Sequence, residues 1–335
     1  MISLRNKRIG YIYGIAVSLL IFSAVAGVLL GPSELSISNM VSALVNGDTE
    51  SPESRIFVFV RLPRMLSGLV CGAALAVSGA VIQGVLANRL ASPSIIGVNA
   101  GAGLAVTLCC AYGVIGGWRL SLFAFVGAFL TVMLVSLGAR KWGASRGTVI
   151  LIGVALNAFL GAISDIITVF APEVSITNND FKIGDFSSAT YEKLIPAAII
   201  VLVSVFILLT FSNEHDMLTL GDENAKGLGL NTRVMRVVFL LLSALLAGAA
   251  VSIAGLISFV GLLVPHAVRK IATSQAKHLF PLCALFGAGF VSVCDTLSRV
   301  IFAPYELPVG IIMAFLGAPF FIFILIRKKG GHTRA

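Results

Sequence analysis

Two carboxylates stand inside otherwise hydrocarbon-like runs: Asp165 in "LNAFLGAISDIITVF" and Asp295 in "VSVCDTLSRVIF". A charge within an apolar helix is costly, so such residues mark proton relays, ion paths or internal ion pairs. Spacing separates the two. Asp295 has Arg299 four residues on, one helical turn away, so this pair can neutralise itself. Asp165 has no base at helical spacing. It must face a polar cavity or a donor on a neighbouring helix, or else hold its proton, and it is a pathway-lining residue or the relay of a proton-driven carrier. Other chemistry is sparse. The chain has no GxxxxGK[ST] phosphate loop, no HExxH and no DxDxDG. His215, His266, His278 and His332 have no partner spacing and read as interfacial or loop residues. Cys71, Cys109, Cys110, Cys283 and Cys294 fall in apolar runs without CxxC spacing and read as small packing residues. The expectation is no catalytic residue, no metal site and no cofactor in this chain.

The elements that hold these residues are membrane helices. Of the 335 residues 58% are hydrophobic and 12% charged, with a mean hydropathy of +1.00. Soluble domains carry about 25% charged residues. The apolar runs are continuous and near the roughly 20 residues a helix needs to cross a bilayer, not the alternating short strands of a barrel. The fold expected is an all-α polytopic bundle, a single transmembrane domain over 1–335. Ten spans are predicted, near 10–30, 62–86, 94–113, 119–139, 148–171, 194–212, 233–253, 256–271, 279–300 and 307–326. The eighth, "LISFVGLLVPHAVRKI", is short and carries Pro265. The first follows "RNKR" and ends "SAVAG", like a secretory signal, but it exceeds the usual 7–15 residues of a signal core.

Lys and Arg set the orientation. With the N-terminus inside, the inner segments and their flanks hold most of the 24 basic residues, and most of the 15 acids fall outside, including Glu34, Asp48, Glu50 and Glu53. The net charge of +9 is therefore a topology signal for a multi-pass protein of the cell membrane with both termini cytoplasmic. Nucleic-acid binding is a poor reading, because the charge is not gathered on one soluble face. Small residues recur at i, i+4: Gly68 and Gly72, Gly97 and Gly101, then Gly153, Asn157 and Gly161. Such stripes let backbones approach closely, and Asn157 can hydrogen-bond across the contact. "RLPRMLSG" sets Arg61 and Arg64 at the outer mouth of span two, with Pro63 suited to a helix start. Both arginines are snorkelling anchors or meet an acidic partner.

One stretch breaks the hydrocarbon pattern: "TLGDENAKGLGLNTRVMR", 219–236, polar between spans six and seven. It belongs to a longer similarity. "RLPRMLSGLVCGAALAVSGAVIQGVLANRLASPSIIGVNAGAGLAV", "LGDENAKGLGLNTRVMR", "AGLISFVGLLVPHAVRKI" and "ELPVGIIMAFLGAPFFIFIL" together resemble the FecCD-type permeases. These are the membrane subunits of ABC importers for ferric siderophores, haem and vitamin B12. The resemblance spans nearly the whole chain. It implies a permease that dimerises with a second copy or a close homologue. Two ATP-binding subunits would hold ATP and Mg²⁺ on the cytoplasmic side, and a binding protein would deliver substrate outside.

Site roles follow from the same resemblance. It makes 219–236 a pair of short helices docking into the ATPase, through Leu220, Gly221, Glu223, Ala225, Gly227, Leu228, Gly229 and Arg233. Asp222 and Glu223 suit a helix start. Gly227 and Gly229 suit its end, and Leu218, Leu220, Leu228 and Leu230 would be apolar anchors. Arg61, Arg64 and Arg299 match outer-face arginines that meet the binding protein. Asn88 and Leu90 match an inner gate, and Lys141–Thr148, with Ser145 and Arg146, a second gate segment. Span five, with Asn157 and Asp165, would line the pathway. The chain departs from the family in having Arg89 where Pro is usual, and in Phe181–Asp185, where Lys182 and Asp185 charge the outer vestibule.

Overall fold

Runs of this apolarity fold as helices because a bilayer offers backbone N–H and C=O groups no other partner. The structure, a computed structural model, describes residues 2–31, 36, 38, 40, 42, 43, 47, 51–114, 116–141 and 145–329, without the side chains of 2–7, 140 and 323–329. Glu34, Asp48, Glu50, His332 and the 142–144 part of the second gate segment lie outside the described residues.

Among the described residues ten main helices appear: α1 (Ile2–Leu29), α2 (Leu62–Val85), α3 (Val98–Ala111), α4 (Gly117–Lys141), α5 (Arg146–Phe170), α6 (Tyr191–Thr210), α7 (Thr232–Ala254), α8 (Val260–Ile271), α9 (Ala276–Val300) and α10 (Val309–Lys329). Short helices Ser175–Ile183, Ser212–Thr219 and Asp222–Gly227 sit in the connections. Among the described residues seven helices are long and apolar enough to cross a bilayer: α1, α2, α4, α5, α6, α7 and α9. Two of the predicted spans are short helices. The 14 residues of α3 and the 12 of α8 reach about 21 and 18 Å at 1.5 Å per residue. Both fall short of a hydrocarbon core about 30 Å thick. The backbone before α8 is irregular instead, with left-handed Phe259 (φ 69°). Its polar groups pair with another irregular stretch: Leu256 N–H donates to the Phe181 carbonyl, and Asp185 N–H to that of Ala254. Non-helical backbone survives at depth only with such partners.

The bundle is centred on α2, which packs mainly against α9, α7 and α8 and is buried on nearly every side, whereas α5 leaves most of its surface exposed. Missing side chains make these contacts possible. A Cβ on Gly72 would overlap the Gly287 carbonyl of α9, and one on Gly79 would overlap that of Gly261 in α8. The Gly101 stripe of α3 meets Gly127 and Thr131 of α4 in the same way, whereas Gly68 and Gly161 have ordinary or open space. The Gly72 and Gly101 positions of the predicted stripes thus pack within the chain.

Long-range contacts define two ends. Arg8, Gly84, Arg146, Asp216, Asp222, Ile271 and Ala276 meet at one, called proximal here because it carries 219–236. Val28, Arg61, Arg64, Asp185, Asp295 and Glu306 meet at the other, the distal end.

Candidate functional site

At the distal end a short helix (Pro52–Ile56) and a π-helical turn (Phe57–Arg61) run into α2 and carry Arg61 and Arg64 inward. Both arginines and Arg299 are 5% exposed or less. Arg61 donates to the carbonyls of Val28 (2.8 Å) and Leu29 (3.1 Å), and Arg299 to those of Gly27 and Leu30 (3.0 Å each). These are the last carbonyls of α1, which have no intrahelical partner. Asp295, also buried, accepts from Arg64 Nε at 3.0 Å and pairs with Arg299 Nε at 3.2 Å. Arg64 Nη1 reaches Glu306 at 2.6 Å, and its Nη2 faces Asp185 at 3.8 Å. The expectation of three exposed docking charges is thereby corrected: the guanidiniums tie α1, α2, α9 and the segment before α10 together. The self-neutralising Asp295–Arg299 pair is present, with Arg64 as a third member. Beside it lies a cavity of about 410 Å³ lined by Asp180, Asp185, Ser188 and Lys193, among others.

At the proximal end two short helices follow one another: Ser212–Thr219, which ends where the polar segment begins, and Asp222–Gly227, which lies within it. Asp222 and Glu223 occupy the first turn of the second, where the helix dipole favours them. It ends at Gly227. Gly229 takes φ 85°, with Gly229 N–H on the Lys226 carbonyl and Leu230 N–H on that of Ala225, the Schellman pattern glycine permits. Leu220, Glu223, Gly227, Leu228 and Gly229 are exposed around this knuckle, and Gly221 is half-buried. Leu218 and Ala225 face inward at 1% and 0% exposure, which corrects their reading as docking anchors, and Leu230 is half-buried against the core. Arg233 lies in the first turn of α7.

Asp222 is the link from this knuckle to the bundle. It accepts two hydrogen bonds from Arg236 (2.7 and 2.8 Å) and pairs with Arg146 at 3.5 Å. Arg146 also donates to the Leu218 carbonyl at 2.8 Å. The residue assigned to the second gate thus joins the start of α5 to the knuckle. Burial raises the Asp222 pKa, but the hydrogen bonds and charges of Arg236, then Arg146 and Lys226, hold it below the ordinary carboxylate value. Ser145 caps α5 by accepting from Thr148 N–H. Asn88 accepts from Leu90 N–H at 2.9 Å, closing a tight exposed turn after left-handed Ala87 (φ 46°).

A family model described as the FecCD transport family matches residues 19–327. The chain belongs to the FecCD transport family. It is 37% identical over 323 residues to the Fe(3+)-citrate import system permease protein YfmD of Bacillus subtilis, covering 96% of this chain and 95% of that one. It is 34% identical over 322 residues to the hemin transport system permease protein HmuU of Yersinia pestis (94% and 95%). A solved structure described as a metal-chelate type ABC transporter in an inward-facing conformation superposes with a TM-score of 0.82 at 30% identity, covering 95% of this chain and 99% of that one.

In this FecCD permease the outward surface of α5 is apolar, with Leu151, Phe159 and Ile166 exposed. Asp165 lies on that surface and makes no hydrogen bond or ion pair among the described residues. Asn157 points the other way, donating to the carbonyls of Ser94 (2.9 Å) and Ile95 (3.3 Å). It fastens α5 to the turn before α3, as the small-residue stripe suggested.

Two proximal features escaped the sequence. His215 is 1% exposed, edge-on to Phe239 and Phe280 (centroids 5.4 and 4.9 Å away), so the helix Ser212–Thr219 is wedged into the core. Arg269 of α8 donates to Gln83 Oε1 and to the Ala80 carbonyl, and Asn88 N–H to the Gln83 carbonyl. The Asn88 turn therefore hangs from an α2–α8 polar contact. "SNEHDM" and "PHAVRK" read as loop and interface because their partners lie far along the chain.

Proposed function

We propose that this chain is the membrane permease of a binding-protein-dependent ABC importer, with a ferric siderophore or related iron chelate as its cargo. The observation that carries the reading is similarity over nearly the full length to permeases named for ferric citrate and hemin import. The alternative cargo is haem or vitamin B12. The importer is a pair of permeases, joined along the exposed apolar surface of α5, with Asp165 in the shared polar path. Two ATP-binding subunits dock on the proximal, cytoplasmic end through Leu220, Glu223 and Leu228, and carry ATP and Mg²⁺. A binding protein delivers cargo to the distal face. Nucleotide on the partners shifts the bundle between two packings through its differential affinity for them, so this chain does no covalent chemistry.

The test is co-purification of the full chain with its ATP-binding subunit in detergent, wild type against Leu228→Asp, followed by vesicle uptake with a panel of chelates. Retention by wild type, loss in the variant and ATP-dependent uptake are expected. Uptake that persists without ATP and fails in Asp165→Asn would replace this reading with a proton-driven carrier.

A further inference from the structure

A cavity of about 390 Å³ opens at the proximal end between the last turns of α4 and the first turns of α5 and α7. Its walls divide by chemistry. Val149, Val237 and Leu240 make one side apolar, and Ser136, Arg233 and Arg236 supply polar groups. Ser136 and Arg236 are each 2% exposed. Ser136 Oγ and Arg236 Nε have no hydrogen-bond partner among the described residues. A buried donor left unmade costs about 1–3 kcal/mol, and a guanidinium N–H can only donate. Arg233 stands exposed at the rim, without an ion pair among the described residues. Both arginines lie in the first turns of α7, where the helix dipole already disfavours cations. No acid among the described residues lines the cavity. The carboxylate that Arg236 holds, Asp222, is already shared with Arg146.

Convergent donors, excess positive charge and no acid specify an anion with several acceptor oxygens. The volume far exceeds the roughly 30 Å³ share of a single water. We propose that this cavity binds a phosphate group, and that its source is the headgroup of an anionic phospholipid. The basic end of a membrane protein faces the anionic leaflet, and basic pockets between spanning helices suit such headgroups. The apolar wall is the reason to prefer a lipid over free phosphate. It is flanked by exposed Leu134 and Leu137 of α4 and Leu151 of α5, a surface on which acyl chains can lie. A phosphate on Arg236 Nε would hold the side chain that grips Asp222, so the lipid would stiffen the joint between knuckle and bundle.

The test uses the delipidated full chain in neutral detergent, with native mass spectrometry as readout. The probes are phosphatidylglycerol, phosphatidylcholine and inorganic phosphate. Wild type should retain phosphatidylglycerol over phosphatidylcholine, and Arg233→Gln should lower that retention about fivefold, the effect of one basic residue near a membrane surface. Arg233 is exposed, so this variant keeps the fold. Ser136→Leu, which fills the cavity without changing charge, should abolish the preference while circular dichroism shows native helicity. Equal retention of the two lipids, or a preference untouched by both variants, overturns the site. Displacement of phosphatidylglycerol by inorganic phosphate, with matching thermal protection, overturns the lipid source and assigns the cavity to the free anion.

Discussion

Each end of the molecule sets an aspartate between two arginines, and the two clusters behave differently because of burial. Asp295, Arg64 and Arg299 at the distal end are each 5% exposed or less. Asp222 at the proximal end has a side chain 36% exposed, against 3% for its partner Arg236. The distal arginines also hold four consecutive carbonyls at the end of α1. Each cluster leaves guanidinium nitrogens without a hydrogen bond among the described residues: Arg64 Nη2 at the distal end, Arg146 Nε and Arg236 Nε at the proximal end. A buried pair gains little over apolar packing, yet losing one member strands a charge. A pair with one half-exposed member is partly screened by water and costs less to break. The distal cluster is accordingly a lock, and the proximal one a joint beside the segment that would meet the ATPase.

Breaking the lock should give the largest effect. Asp295→Asn leaves Arg64 with Glu306 and Arg299 with carbonyls alone, and should cost about 3–5 kcal/mol, read as a lower melting temperature in detergent. Unchanged melting would mean that water reaches these arginines and that the distal cluster is no lock. A smaller effect asks whether charge or close packing holds α2 against α9. Gly72→Ala drives a methyl into the Gly287 carbonyl, whereas Gly68→Ala finds ordinary contact. The first should cost about 1–3 kcal/mol and the second close to nothing. Equal melting of the two variants would remove the close approach from the explanation.

The same contrast shows what the sequence made legible. The helices followed from apolar run length. The knuckle followed from Asp222, Glu223 and the glycines, because dipole and turn preferences are local. Asp295 with Arg299 was legible because a helix brings i and i+4 together. Arg64 was not, since its partners Asp295 and Glu306 lie 231 and 242 residues away. Nothing near Arg61 or Arg64 says whether a mouth arginine turns outward to a partner or inward to the carbonyls of α1. His215 was missed for the same reason, its aromatic neighbours being on α7 and α9. The shortness of α8 was half legible: Pro265 marked a weak span, but the irregular backbone before it needs the Phe181–Asp185 stretch to satisfy it.

The joint should respond less in stability than the lock and most in order. Asp222→Asn removes a half-exposed charge but leaves the buried Arg236 with a weaker acceptor, and should cost about 1–3 kcal/mol; it should also free the knuckle. A nitroxide on Gly227→Cys reports this selectively, because Gly227 is exposed and all five native cysteines are buried. The pH dependence has a fixed sign. Arg236, Arg146 and Lys226 outweigh burial and depress the folded Asp222 pKa. The ion pair's contribution is therefore complete above the unfolded value, about 3.9, and is lost as pH falls through the lower folded one. Label mobility should stay flat from pH 7 to pH 5 and rise only in stronger acid. With Asp222→Asn it should be high throughout. Mobility that instead rises between pH 7 and pH 5 would take control of the joint away from Asp222.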